Sequence, residues 1–174
     1  MGLNFKIIPS DYEEFLESPI FSYEKIEELA YNKAKAVVEA VNEPSLVVSA
    51  DTVVVLKNKI LGKPQDELDA IKMLGMLSGQ RHLVVTSICV INSQNLKQEI
   101  LSTTSFVEFE NLDEKLIKDY VQQFQPLDKA GAYGIQELPE GFVKCVEGSF
   151  ENIIGLCPLA LTEVLSQFGF TVSS

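Results

Sequence analysis

The sequence predicts a fold that combines helices and strands, either α/β or α+β. Along its 174 residues, apolar runs with the period of a strand alternate with runs that have the period of a helix. Hydrophobic residues make up 46% of the chain and charged residues 22%, which is typical of a folded globular protein. The length suits one domain, or two small lobes that share a core.

The N-terminal half predicts three strands and two helices. β-branched runs mark the strands, at residues 5–8, 46–56 and 59–61. Lys57 and Asn58 predict a hairpin turn between the last two, because Asn tolerates a positive φ. Helical spacing marks residues 22–41, which Ser22 can cap, and residues 66–77. The inward face of that second helix is predicted to carry Leu68, Ile71, Leu74 and Leu77.

The C-terminal half predicts a similar alternation. Residues 82–91 and 102–109 predict paired strands, and residues 142–146 a short one. Asn111 and Glu114 resemble a capping box for a helix that ends near Phe124. The remaining expected elements are a shaped loop at residues 128–136, a turn at 152–158 and a final helix at 159–168.

The charge of the chain narrows the class of partner. It carries 14 Lys and Arg against 25 Asp and Glu, a formal net charge of −11. Nucleic-acid binding favours basic surfaces, so we expect neither DNA nor RNA as a partner. A small nucleotide stays compatible, because a local cluster of lysines or a bound cation can reverse the field. Arg81 is the one arginine of the sequence, so bidentate arginine contacts to phosphate are scarce.

Neither a membrane nor a structural zinc site is expected. The longest apolar stretch, residues 153–161, is about half of a membrane span, and the first residues lack the pattern of a secretory signal. We therefore expect a cytoplasmic protein. Cys89, Cys145 and Cys157 form no C-x-x-C motif and His82 is the single histidine, so buried reduced thiols are expected.

Asp51 is the strongest single indication of a site. It interrupts a β-branched run, where burying a carboxylate is costly unless a partner is present. One interpretation is a strand bend in which Asp51 accepts backbone hydrogen bonds. The other is a metal ligand or general base, since functional groups gather at the ends of strands.

Two lysines and a second carboxylate are candidates for the same site as Asp51. Lys33 falls on the apolar stripe of its helix, so it either snorkels or points into a pocket. Lys63 lies between Gly62 and Pro64, either as an exposed loop lysine or as a held phosphate contact. Glu14 lies in an acidic stretch that is either solvated surface or, with Asp51, the carboxylate pair that Mg²⁺ uses beside substrate phosphates.

Two further residues have weaker signals. Gln136 closes a glycine-containing segment, and its amide can read the edge of a base with both a donor and an acceptor. His82 opens an apolar strand, and we interpret it as a structural histidine.

Eight short stretches of the sequence form a set of motifs. In chain order they are Ile7-Ile8-Pro9-Ser10-Asp11 with Glu14, Asn32-Lys33-Ala34, Ser49-Ala50-Asp51-Thr52-Val53-Val54, Ile60-Leu61-Gly62-Lys63-Pro64, Leu77-Ser78-Gly79 with His82, Val85-Thr86, Asp128-Lys129-Ala130-Gly131-Ala132-Tyr133-Gly134-Ile135-Gln136, and Asn152-Ile153-Ile154-Gly155-Leu156. Together they resemble the Maf family of nucleoside triphosphate pyrophosphatases, and their order and spacing match that family over nearly the whole chain.

The resemblance implies a fold and an activity. The fold would be an ITPase-like α/β domain over residues 1–174, with an elongated mixed central sheet flanked by helices and two lobes around one cleft. The activity would be hydrolysis of a nucleotide between its α- and β-phosphates with a divalent cation, Mg²⁺ or Mn²⁺, often as a homodimer. The segment 128–136 resembles the branch that acts on dTTP and UTP rather than on 7-methyl-GTP. A role in cell-division arrest and in removing non-standard nucleotides is also implied.

The resemblance also implies roles for single residues. Asp51 would be the proton acceptor, and Thr52 and Gln136 would govern the choice of substrate. Lys33 and Lys63, placed beside Asp51 by the residue pattern itself, would meet the phosphates. Whether Asp51 activates the attacking water or holds the cation is left open by the sequence.

The sequence departs from the family at its start. Family members begin with a strand and a loop that reads Ser-x-Ser-Pro-Arg-Arg, whereas here Met1 directly precedes Gly2-Leu3-Asn4-Phe5. We expect the first strand and its phosphate-binding loop to be missing, leaving an unpaired sheet edge or a gap in the core. The alternative to an active enzyme is therefore a catalytically impaired nucleotide-binding or regulatory remnant. A purely structural acidic protein is the third hypothesis.

Overall fold

In the part of the chain that the structure describes, five strands form one antiparallel sheet and five α-helices flank it. The computed structural model describes residues 4–12 and 18–171. The strands are β1 (Leu46–Leu56), β2 (Lys59–Leu61), β3 (Arg81–Asn92), β4 (Gln98–Phe109) and β5 (Val143–Glu147). The helices are α1 (Tyr23–Ala40), α2 (Glu67–Leu77), α3 (Glu114–Phe124), α4 (Phe150–Ile154) and α5 (Pro158–Ser166). The predicted α/β class is confirmed.

The sheet has the strand order β2-β1-β3-β4-β5. The turn between β1 and β2 forms where it was predicted, with positive φ at Lys57 (49°) and Asn58 (66°). Every described strand pairing is antiparallel, whereas we expected a mixed sheet. The reason is the connectivity: two hairpins reverse the chain, and α2 returns it so that β3 runs against β1. β2 pairs with residues 54–56 alone, so residues 46–53 have no neighbouring described strand on that side.

Helices cover both faces of the sheet. On one face α1 buries Ile26, Ala30 and Ala34 against the odd-numbered positions of β1 and β3. The opposite face carries two apolar clusters. One joins α2, α3 and Tyr133 to Val54 and Val84, and the other joins α5 to Ile88 and Val90. Thr52 and Thr86 lie on this second face, between the two clusters.

Some predicted elements are wrong. Residues 5–8 form no strand, because no described strand lies beside them, and Phe5 and Ile7 are 78% and 85% exposed. Leu68 is 77% exposed, because the inward face of α2 is set by Ala70, Leu74 and Leu77. Burying these three leaves Leu68 on the solvent side of the first turn.

Three local predictions also need correction. Asn111 and Glu114 form no capping box, because Asp113 stands at the N-cap and accepts from the backbone N–H of Leu116 at 2.7 Å. The predicted turn at 152–158 begins within α4, whose cap is Ser149. Cys89 and Cys157 are buried as expected, whereas Cys145 is exposed because β5 is an edge strand.

The described part of the chain contains no helix with the length and apolar character needed to cross a membrane.

His82 is a buried structural histidine, as predicted. It is 1% exposed, its Nε2 lies 2.8 Å from the hydroxyl oxygen of Tyr133, and its ring stands edge-on to Phe109. Burial lowers the pKa of His82 to about 4. The neutral imidazole is therefore the form that the folded protein holds at neutral pH.

Acid is expected to destabilise the protein partly through His82. Between about pH 6.5 and 4 the unfolded chain binds a proton at His82 and the folded chain does not, so stability falls as the pH falls. This should lower the free energy of unfolding by about 2 kcal/mol between pH 7.5 and 5. Urea unfolding of the wild type and His82→Gln at both pH values isolates the contribution of His82 to the pH dependence of stability, because both proteins share the same carboxylates. Parallel pH dependences would contradict the assignment.

Candidate functional site

A cleft of about 350 Å³ lies between α1, β1 and the loop that precedes β5. It is lined by all five predicted site residues that fall in the described chain, namely Lys33, Asp51, Thr52, Lys63 and Gln136. Glu14, the sixth, lies outside the described residues. Residues separated by about a hundred positions in the sequence therefore share one concave surface, the usual form of a small-molecule site.

Asp51 and Lys33 form an ion pair within the cleft. Asp51 is 6% exposed, and the Nζ of Lys33 donates a hydrogen bond to its Oδ1. Lys33 reaches it because the apolar stripe of α1 faces this part of β1, so the lysine predicted on that stripe points inward. The pairing offsets the cost of burying both charges.

Thr52 lies on the face of the sheet opposite to that of Asp51, and its side chain also lines the cleft. Neighbouring residues of a strand point to opposite faces, and the open edge of β1 allows Asp51 and Thr52 to line the same cleft. The Oγ1 of Thr52 lies 2.9 Å from the Oγ1 of Thr86 on β3. Thr86 in turn donates to the backbone carbonyl of Asn152 in α4 at 2.8 Å. Sequence analysis assigned no role to Thr86 or Asn152 beyond their places in motifs.

Lys129 adds a third lysine beside Lys33 and Lys63. Its Nζ lies 3.1 Å from Oδ1 of Asp128 and 3.5 Å from Oε2 of Glu137. Burial lowers the pKa of Lys129, but the hydrogen bond to Asp128 and the charge of Glu137 outweigh this effect and raise it overall. Lys129 is therefore a fixed positive charge in the cleft. Sequence reasoning missed it, although its place beside the glycine-containing loop was a signal.

Backbone contacts hold the loop that carries Lys129 and Gln136. The backbone N–H of Gly131 donates to the carbonyl of Gly62 at 3.0 Å, which joins this loop to the segment that bears Lys63. Tyr133 forms part of the apolar wall, and burial raises the pKa of its phenol above its ordinary value. Gln136 is exposed, so its amide is accessible to a ligand.

The donor set fits a cation that is shared with a bound phosphate. Among the residues that the structure describes, no three Asp, Glu, His or Cys side chains converge as metal ligands. The carboxylates of Asp51, Asp128 and Glu137 nevertheless line the cleft. Mg²⁺ commonly uses one or two carboxylates with substrate phosphates and water, so Asp51 suits such a site better than a cage made wholly of protein.

Comparison with known proteins identifies the family of the chain. Residues 1–168 match the family described as Maf-like protein. A dTTP/UTP pyrophosphatase of Pelotomaculum thermopropionicum is 38% identical over 172 residues, which cover 99% of this chain and 90% of the relative.

Two further relatives carry the same description. The dTTP/UTP pyrophosphatase of Ruminiclostridium cellulolyticum is 43% identical over 88% of this chain and 80% of its own length. That of Acetivibrio thermocellus is 40% identical over 99% of this chain and 88% of its own length. With the family match over nearly its full length, the chain belongs to the Maf family.

Proposed function

We propose that this protein is a nucleoside triphosphate pyrophosphatase that hydrolyses dTTP and UTP to the nucleoside monophosphate and pyrophosphate. The observation that carries the proposal is the cleft whose lining contains Asp51, paired with Lys33, together with Lys63, Lys129, Thr52 and Gln136. The names of the relatives support the choice of dTTP and UTP.

The lysines of the cleft provide the triphosphate site. Lys33, Lys63 and Lys129 balance the three carboxylates that line the cleft, so its lining is close to neutral although the chain as a whole carries a net charge of −11. Fixed charges that line a cleft act on the substrate more strongly than the same charges on an open surface. The overall acidity therefore does not prevent a triphosphate from binding here.

Asp51 is the proposed proton acceptor. Lys33 donates to Oδ1 and orients the carboxylate within the cleft, where Asp51 would take a proton from a water molecule. The oxygen of that water forms the new bond to phosphorus while the bridging oxygen between the α- and β-phosphates departs. The two products are the nucleoside monophosphate and pyrophosphate.

A divalent cation, Mg²⁺ or Mn²⁺, is part of the proposal. Asp51 and Glu14 are the residues that would hold it together with the phosphates of the substrate. When bound, it would neutralise phosphate charge and polarise the scissile bond. Thr52 and Gln136 would recognise the base, since a mismatched hydrogen bond in a site costs more than a lost apolar contact.

Removing the charge of Lys63 is expected to weaken substrate binding. Lys63→Gln should raise KM for dTTP about tenfold, the usual size of one charge-assisted hydrogen bond, and change kcat less. Lys72→Gln, on the exposed side of α2, is the matched control and should leave both constants unchanged. Equal KM values for the Lys63 variant and the wild type would remove Lys63 from the phosphate site.

The proposal is tested by pyrophosphate release from dTTP, UTP, CTP and 7-methyl-GTP with Mg²⁺ or Mn²⁺. Preferential turnover of dTTP and UTP is the expected result. Nucleotide binding without turnover would instead support the alternative, a catalytically impaired binding or regulatory protein. Absence of both binding and turnover in a folded sample would overturn the proposal.

Three further features belong to this proposal because the family resemblance implies them: a role in cell-division arrest, the removal of non-standard nucleotides and assembly as a homodimer. A cytoplasmic location, expected from the sequence, is part of the proposal as well. Light scattering of the purified protein tests the dimer directly.

A further inference from the structure

A short chain of hydrogen bonds runs from the cleft into the protein interior. It begins at the hydroxyl of Thr52, passes through the hydroxyl of Thr86, and ends at the carbonyl of Asn152. Thr86 and Asn152 are both 0% exposed, whereas Thr52 lines the cleft. A ligand therefore meets only the first member of the chain.

The direction of these hydrogen bonds follows from their chemistry. A carbonyl oxygen only accepts, so the single hydrogen of the Thr86 hydroxyl is donated to Asn152. In the 2.9 Å contact between the two threonines, Thr86 must then accept and Thr52 must donate. The hydroxyl hydrogen of Thr52 therefore points to Thr86 in the interior, and the lone pairs of the Thr52 oxygen face the cleft.

Asn152 is held firmly enough to maintain this direction. Its side-chain Nδ2 donates to the carbonyl of Val84 and to Oγ of Ser105, each at 3.0 Å. Its backbone carbonyl also accepts from the N–H of Gly155 at 3.1 Å. These contacts fix the acceptor at the end of the chain, so the hydroxyl of Thr86 has a single favoured orientation.

We propose that Thr86 is a positioning residue that makes Thr52 an obligate hydrogen-bond acceptor, and that Thr52 thereby selects bases with an N–H at position 3. This rests on the proposed function and deepens it. Uracil and thymine carry a hydrogen on N3, whereas cytosine has a lone pair there. An acceptor facing N3 forms a hydrogen bond with the first two bases, while with cytosine two lone pairs oppose each other.

Thr86→Val is the decisive variant, because valine matches the shape of threonine and removes the hydroxyl. The hydrogen of Thr52 is then free to point into the cleft, where it can be donated to cytosine. The carbonyl of Asn152 keeps its bond from Gly155, so the fold retains that contact. We expect the ratio of kcat/KM for UTP to that for CTP to fall about tenfold relative to the wild type.

Thr86→Ser is the matched control, because it keeps the hydroxyl and should keep the wild-type ratio within about twofold. Thr86→Ala removes the same hydroxyl with less bulk, and serves as a second test if valine impairs folding. A thermal melt of each variant reports its fold. Unchanged ratios in folded Thr86→Val and Thr86→Ala, or equal losses for both nucleotides, would overturn the proposal.

Binding distinguishes this inference from the proposed function. Calorimetry with non-hydrolysable α,β-imido analogues of UTP and CTP measures base preference without turnover. If the wild type prefers the UTP analogue but hydrolyses neither nucleotide, the enzymatic proposal is contradicted. The role of Thr86 is then supported if Thr86→Val loses that preference in binding, and overturned if the variant keeps it. A wild type without preference between the analogues would overturn the role of Thr86.

Discussion

Asp51→Asn is expected to lower kcat for dTTP by about 100-fold or more, the usual contribution of a positioned proton acceptor. Asparagine has nearly the shape of aspartate but is not basic, so it cannot take the proton from water. It also removes the ion pair with Lys33 and leaves that ammonium group available to the phosphates. Binding of a non-hydrolysable dTTP analogue should therefore be retained, as calorimetry would show.

Two comparisons make the Asp51 result specific. Asp119→Asn removes an exposed carboxylate of α3 and should leave kcat unchanged. Titration with Mg²⁺ distinguishes the two roles of Asp51, because a lost ligand is partly compensated by a higher cation concentration and a lost base is not. An unchanged kcat in Asp51→Asn would exclude the residue from the mechanism.

The second large effect is expected at Gly131, in the cleft loop. Gly131 has a φ of 67°, and a Cβ there would lie 2.9 Å from Cβ and Cγ2 of Val54 in the core. Gly131→Ala combines left-handed backbone strain with overpacking, so the free energy of unfolding should fall by about 3 kcal/mol. Displacement of the loop should also lower kcat/KM, since Lys129 and Gln136 belong to it.

Gly75→Ala is the matched control for this substitution. Gly75 lies inside α2, and a Cβ there meets nothing within 4 Å. Alanine has the higher helix propensity, so this variant should gain about 0.5–1 kcal/mol. Urea unfolding measures both variants, and a stability of Gly131→Ala equal to that of the wild type would contradict the close approach to Val54.

The elements that the sequence predicted well are those with strong local signals. The β-branched run of β1 and the hairpin residues Lys57 and Asn58 each carry a local pattern that indicates the structure they form. The prediction for Leu68 was wrong because the sequence of α2 is compatible with two inward faces, one that includes Leu68 and one that includes Ala70. Only contact with the sheet decides between these two faces. Residues 5–8 had the composition of a strand but no described neighbouring strand with which to pair.

In the candidate site, too, the residues with a local sequence signal could be predicted and the others could not. Asp51 could be found because a carboxylate in a β-branched run is costly, and Lys33 because it interrupts an apolar stripe. Thr86 and Asn152 could not be found, because nothing local distinguishes a buried threonine that orients another from one that only packs. Their arrangement depends on the register of β1 with β3 and on the position of α4, which are properties of the folded chain.

The identity of the products of UTP hydrolysis tests the central claim most directly. ³¹P nuclear magnetic resonance of the wild-type protein with UTP and Mg²⁺ follows each phosphate during the reaction. Our account predicts equal amounts of UMP and pyrophosphate, with neither UDP nor orthophosphate as an early product. Early formation of UDP and orthophosphate would show cleavage at the terminal phosphate, and would contradict the proposed reaction at the bond between the α- and β-phosphates.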